Sequence, residues 1–215
     1  MRNPVLAFAM AAILATPAAA QARDLAPRNE CNHVEGADSF RMALATAVAN
    51  RNETMLLPLF AEDVLLDFGG GGGRETLSQR LDDPEYRLWD ELDALLLLGC
   101  AKGAEDGLIL PGIWALELGE DDAFSSLYVT GTDVPVYRDA RGQEVITYVS
   151  WALVAWSAYL EQVADEGGER TKVIVSNNRV GYIANDKLRS LLDYRLLVNR
   201  SDDGQLQVTA FVAGD

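Results

Sequence analysis

The sequence is poor in the side chains that most metal sites and nucleophilic sites require. It has one histidine, His33, and two cysteines, Cys31 and Cys100, in 215 residues. Zinc and iron sites of the ordinary types use two or more His or Cys ligands, and nucleophilic triads need a histidine to take the proton. We therefore expect no metal site, no cofactor and no catalytic residue, and we interpret His33 as a solvated loop histidine.

Positive charge is also scarce. The 18 Lys and Arg residues stand against 33 Asp and Glu, which gives a formal net charge of −15. Binding to nucleic acid or to an anionic lipid surface depends on clustered Lys and Arg. The composition therefore excludes nucleic acid as an expected partner.

Long apolar runs are limited to the N-terminus. Val5 to Ala15 is almost entirely apolar, but its length is about half of the roughly 20 residues that span a bilayer. Arg2 precedes it, and small residues that fit the A-x-A cleavage pattern, Ala20-Gln21-Ala22, follow. We predict a signal peptide over residues 1–22, cut after Ala20 or Ala22. The mature chain would be periplasmic or secreted, with a charge of −16 and no integral membrane segment.

Export would place both cysteines in an oxidising compartment. An even cysteine count there favours a disulfide, so we predict a bond between Cys31 and Cys100. Closing a loop of about 70 residues would stabilise the fold by roughly 4 kcal/mol in the chain-entropy account. The alternative is two separate, buried, reduced thiols.

The residue pattern changes character near the middle of the chain. Residues 37–99 show helical spacing of apolar side chains, whereas short runs rich in Val, Ile, Thr and Tyr follow from Gly107 onward. We predict a mainly helical region over 23–119, a strand-rich region over 123–192 and a final hairpin over 193–215. Two turn sequences predict hairpins: Asn177-Asn178-Arg179 and Ser201-Asp202-Asp203-Gly204.

Residues 128–189 resemble a bacterial SH3-like (SH3b) domain. The resemblance is carried by Val129–Arg138, by Lys172–Val175 with Asn178–Ile183, and by Asp186–Arg189. The ending of the chain resembles an uncharacterised group of periplasmic proteobacterial proteins that carry such a domain. The implied fold class is α+β, with a helical N-terminal region, a small SH3-like β-barrel and an extra C-terminal β-hairpin. The insertion at 157–170 and Thr171, in place of a common tryptophan, depart from the family pattern.

This resemblance implies a non-catalytic, envelope-associated binding protein. Its partner would be peptidoglycan, a peptide or an envelope protein. Tyr137, Trp151 and Tyr182 are the candidate ligand-binding residues by their positions in the strand-rich region. Aromatic side chains also fill the core of a small β-domain, so a structural role for each of them remains open.

A second interpretation concerns the N-terminal half. Its order of elements resembles the start of an NTF2-like cone: a helix, the segment Leu59–Val64, a strand and a glycine-rich turn. The final hairpin would complete that cone. The alternative function is then a small-molecule enzyme or binding pocket around Asp67, with the carboxyl acting as a base of raised pKa. The competing interpretation is a strand-end Asp67 that bonds to the glycine backbone.

Overall fold

The computed structural model describes residues 24–116, 122–158 and 168–214, so the predicted signal peptide lies outside the described residues. Within these ranges the chain forms four α-helices and two β-sheets. The helices are α1 (Ala37–Ala49), α2 (Glu53–Leu56), α3 (Arg74–Asp82) and α4 (Leu88–Leu97). The strands are β1 (Phe60–Leu65), β2 (Ala101–Lys102), β3 (Leu108–Leu110), β4 (Ser126–Val129), β5 (Val134–Tyr137), β6 (Val145–Val149), β7 (Leu153–Trp156), β8 (Arg170–Val175), β9 (Arg179–Ala184), β10 (Leu188–Ser190), β11 (Arg195–Arg200) and β12 (Leu206–Val212).

Helices α1 and α4 form where apolar side chains recur every three or four residues. Leu44 and Val48 on α1, and Leu92 and Leu95 on α4, are fully buried. Helix α1 begins after Gly36, which has a left-handed backbone conformation with φ 79° and no side-chain cap. The helices therefore present a continuous apolar face to the first sheet.

The first sheet has five strands in the order β1-β12-β11-β3-β2. Strand β1 runs parallel to β12, with Phe60 opposite Val208, and the other neighbours are antiparallel. The expectation of an extra C-terminal hairpin beside a barrel is therefore wrong. Strands β11 and β12 lie between β1 and β3, because their alternating apolar residues complete the face that the helices cover.

The second sheet has seven strands in the order β10-β4-β7-β8-β9-β5-β6. The predicted small β-barrel is contradicted, since this sheet is open and no pairing joins its edge strands β10 and β6 among the described residues. A barrel closes only when its edge strands pair with each other. Alternation of apolar and polar residues specifies which face of the sheet is buried. Here Val136, Val173 and Ile183 are buried in a core made from the sheet's own strands. The same alternation does not specify whether the two edge strands pair.

Both predicted hairpin turns are confirmed. Strands β8 and β9 pair antiparallel around Asn178, which has φ 55°, and β11 and β12 pair around Gly204, which has φ 81°. The stretch of residues 145–156 forms two strands, β6 and β7. They are separated by a turn in which Trp151 has φ 42°.

An apolar junction connects the seven-stranded sheet to the segments that precede β2 and follow β3, and the N-terminal segment helps to build it. Leu25 and Tyr128 are buried there with Leu98, Ile113 and Leu191. The Tyr128 hydroxyl donates to the Leu25 carbonyl oxygen at 2.6 Å, and the Leu25 N–H donates to the Trp151 carbonyl at 3.1 Å. The first described residues therefore contact the seven-stranded sheet at β4 and at the turn between β6 and β7.

The predicted disulfide between Cys31 and Cys100 is confirmed, with Cα atoms 5.6 Å apart. It joins the segment after Leu25 to the chain just beyond α4. A disulfide is compatible with an extracytoplasmic location. Over the described ranges, each helix is too short or too polar to traverse a bilayer.

Candidate functional site

Two of the predicted ligand residues lie side by side on the outer face of the seven-stranded sheet. Tyr137 on β5 is the cross-strand partner of Tyr182 on β9, and Tyr182 is in turn opposite Lys172 on β8. We call these three residues the tyrosine row. Strand alternation explains its position, because Val136 and Ile183, beside the two tyrosines, point into the core. Both tyrosines are half-buried.

An arginine packs against one end of this row. The Arg170 guanidinium carbon lies 5.0 Å from the centre of the Tyr137 ring, a cation–π distance, and its Nη1 donates to the Ala140 carbonyl at 3.1 Å. Its side chain is 21% exposed, and a carboxylate oxygen of the highly exposed Glu169 is 3.8 Å away. A Cβ atom on Gly142 would come within 2.5 Å of the guanidinium. Glycine at position 142 therefore makes room for Arg170 over the ring.

Trp151, the third predicted ligand residue, belongs to a different part of the molecule. Its indole N–H donates to Thr132 Oγ1 at 3.0 Å, and its ring centre is 6.1 Å from that of Tyr128. It also packs against the apolar junction. The structure brings Tyr137 and Tyr182 together and does not place Trp151 with them.

Sequence reasoning missed Arg170 and Lys172. The signal was present, because Val173 and Val175 are the inward residues of β8, and residues 170 and 172 must then share the opposite face. Charged side chains on a strand face are usually interpreted as solvated. Only the pairing of β8 with β9 and of β9 with β5 shows that these two cations flank a pair of tyrosines.

Asp67 is held by the glycine-rich turn that follows β1. Strand β1 ends at Leu65, and the Asp67 Oδ1 accepts backbone N–H groups from Gly69 at 2.9 Å and Gly71 at 2.8 Å. The Arg80 Nη2 donates to Asp67 Oδ2 at 2.5 Å. A Cβ on Gly71 would collide with the Asp67 carboxylate. The glycine run therefore lets the backbone wrap around this side chain.

These contacts hold the pKa of Asp67 below its usual value. The hydrogen bond from Arg80 is the main cause, followed by the one from the Gly71 N–H. A general base for carbon acids needs a raised pKa, which burial in an apolar pocket would give. The geometry around Asp67 therefore favours a structural role over the catalytic alternative.

His33 is exposed, in the turn before α1. Among the residues that the structure describes, no group of three or more His, Cys, Asp or Glu side chains is placed to hold a metal ion. The sulfur atoms of Cys31 and Cys100 are joined to each other and do not serve as thiolate ligands.

Geometry singles out the tyrosine row with Arg170 as the candidate site. It combines two half-exposed aromatic rings, an arginine over one ring and a lysine beside the other. Comparison of the chain with protein-family models, with curated proteins and with solved structures gave no match.

Proposed function

We propose that this is an exported, non-catalytic binding protein of the cell envelope and that the tyrosine row with Arg170 binds peptidoglycan. The observation that supports this is the cross-strand pair of Tyr137 and Tyr182, flanked by Arg170 and Lys172. The resemblance of residues 128–189 to bacterial SH3-like domains and the predicted signal over 1–22 support the same function.

The chemistry of the row suits a polymer that has both sugar rings and carboxylates. Aromatic faces stack against the apolar faces of sugars, and Arg and Lys bind carboxylates through charge-assisted hydrogen bonds. The protein as a whole carries a net charge of −15 and repels an anionic polymer at a distance. Two cations beside two tyrosines would therefore restrict binding to this one face and orient the polymer there.

Co-sedimentation with purified peptidoglycan tests the proposal. We expect wild-type protein to sediment with the polymer, and Tyr137→Ala and Tyr182→Ala each to weaken binding by about tenfold or more, since exposed anchor residues commonly contribute that much. Tyr86→Ala is the matched control, because Tyr86 is an exposed tyrosine before α4 that belongs to no strand of the seven-stranded sheet. It should bind like wild type.

The charge contribution is tested separately. Arg170→Gln should weaken binding less than the tyrosine variants, and the wild-type affinity should fall as salt is raised, because exposed charges are screened. If wild-type protein stays in the supernatant, or if Tyr137→Ala and Tyr182→Ala sediment as well as Tyr86→Ala does, the proposal is wrong.

A further inference from the structure

A separate open groove lies at the end of the five-stranded sheet. It has a volume of about 840 Å³ and is bounded by the first turns of α1, the turn between β2 and β3, and the tip of the β11–β12 hairpin. Its size is within the range of small-molecule sites, roughly 300–1,000 Å³. It shares no residue with the tyrosine row.

The floor of the groove is apolar. Phe40 and Leu206 are buried beneath it, Leu59 is half-buried at one side, and the methyl group of Ala43 faces solvent at the lip. A floor of this kind favours a hydrocarbon chain over a sugar or a peptide backbone, because it offers dispersion contacts and few hydrogen bonds.

The rim of the groove carries two cations, Lys102 and Arg200, and two carboxylates, Glu35 and Asp106. Lys102 forms an ion pair with Asp106 at 2.5 Å, which satisfies both charges. Arg200 donates to two backbone carbonyls, of Glu35 at 2.7 Å and of Gly204 at 2.9 Å. Within the described parts of the chain, no carboxylate lies within ion-pair distance of Arg200. Among the described residues, Arg200 is therefore a rim cation that has no carboxylate in direct contact.

The Asp106 carboxylate interacts with both cations of the rim. The hydrogen bond from Lys102 is the main reason that the pKa of Asp106 is lowered, and the charges of Lys102, Arg200 and His33 add to it. Asp106 therefore stays ionised and paired with Lys102. The exposed Glu35 carboxylate and Asp106 would repel a ligand with several negative charges, whereas a single negative charge matches Arg200.

We propose that this groove binds an amphipathic monoanion, namely a carboxylate with an unbranched aliphatic tail. The carboxylate lies against Arg200, and the tail lies over Phe40, Leu59 and Leu206. The proposal does not depend on peptidoglycan binding, because the two sites use different sheets and different side chains.

Titration of the full chain with octanoate, followed by calorimetry or NMR, tests this site. We expect a Kd of about 1 mM or lower for octanoate and a value about tenfold higher for neutral octanol, since the charge contact is then lost. Ala43→Trp should abolish binding by filling the groove. Ala49→Trp is its matched control, because Ala49 is an exposed alanine of the same helix that does not line the groove.

A charge pair of variants completes the test. Arg200→Gln should weaken octanoate binding by about tenfold, and Arg141→Gln, which removes an exposed arginine from the loop before β6, should not. Near-wild-type unfolding midpoints show that the variants are folded. The proposal is overturned if octanoate does not bind at about 5 mM, if octanol binds equally well, or if Ala43→Trp binds like Ala49→Trp.

Discussion

The two sheets are assembled from the chain in opposite ways. The seven-stranded sheet uses one stretch, residues 126–190, and its core comes from its own strands. The five-stranded sheet combines strands from residues 60–110 with strands from residues 195–212, and it shares its core with the helices. Strands β11 and β12 belong to the five-stranded sheet, although they come after the whole seven-stranded sheet in the sequence. The stability of the helical part therefore depends on the last residues of the sequence.

The largest expected effect comes from Phe211→Ala. Phe211 lies on β12, fully buried, with its ring centre 6.3 Å from that of Phe60 and 4.8 Å from that of Tyr194. Truncation of such a residue costs about 3–5 kcal/mol. Hydrogen exchange should then show faster exchange in α1, α4 and β1, with little change in β8 and β9.

Val136→Ala is the reciprocal variant. Val136 is fully buried in the core of the seven-stranded sheet, so its truncation should raise exchange in β8 and β9 first. If each variant raises hydrogen exchange equally in both sheets, the two cores form one cooperative unit and do not unfold separately.

Removing the disulfide should have the next largest effect. Cys31 and Cys100 are 69 positions apart, and the chain-entropy account gives a loss of up to about 4 kcal/mol for the pair of Cys→Ser substitutions. Denaturant unfolding of the double variant measures this loss of stability. Wild-type protein with its disulfide reduced is the control, and its unfolding midpoint should equal that of the double variant. An unchanged midpoint in both would show that the bond does not constrain the unfolded chain.

A smaller effect is expected at the apolar junction. Tyr128→Phe removes the hydrogen bond from the hydroxyl to the buried Leu25 carbonyl and should cost about 1 kcal/mol. Exchange of the Leu25 amide should rise with it, since that N–H is held by the Trp151 carbonyl. Tyr86→Phe, at an exposed tyrosine, should change neither quantity. Equal behaviour of the two variants would contradict the assigned role of Tyr128.

The smallest effect concerns the acid stability of the loop after β1. Because the folded-state pKa of Asp67 is depressed by Arg80 and the Gly71 N–H, its contribution is present above the ordinary value of 3.8 and is lost as pH falls through the lower folded value. Asp67→Asn should therefore be less stable than wild type near neutral pH, and the difference should shrink in acid. Asp63→Asn, at an exposed aspartate of β1, should show no such trend.

Features of the two sheets that depend on neighbouring residues in the sequence could be predicted, and pairings between distant segments could not. Strand-rich segments could be predicted from the sequence, because alternation and turn residues are local signals. The hairpins at Asn178 and Gly204 follow from the same signals. The place of β12 beside β1 has no local signal, since Leu65 and its partner Ala210 are 145 positions apart.

The residues of the candidate site also depend on strand pairing that the sequence pattern does not reveal. Tyr137 and Tyr182 were selected from their positions in a family pattern, and the strand pairing places them together. Trp151 was selected as an aromatic residue among the strands, but the turn at φ 42° directs its ring toward Thr132 and Tyr128. Arg170 could be assigned to the site only once the pairing of three strands was known. Strand alternation predicts which face a residue occupies, but not which neighbours it meets there.

The pairing of β1 with β12 also has a consequence for the order of folding. Strand β1 is complete at residue 65, but the neighbour that covers its edge begins at residue 206. A chain that emerges N-terminus first would therefore expose unpaired edges of β1 and β3 until its last residues arrive, and exposed edges favour association between chains. The seven-stranded sheet has all of its strands by residue 190. The seven-stranded sheet can therefore fold before β11 and β12, which complete the five-stranded sheet, have been synthesised.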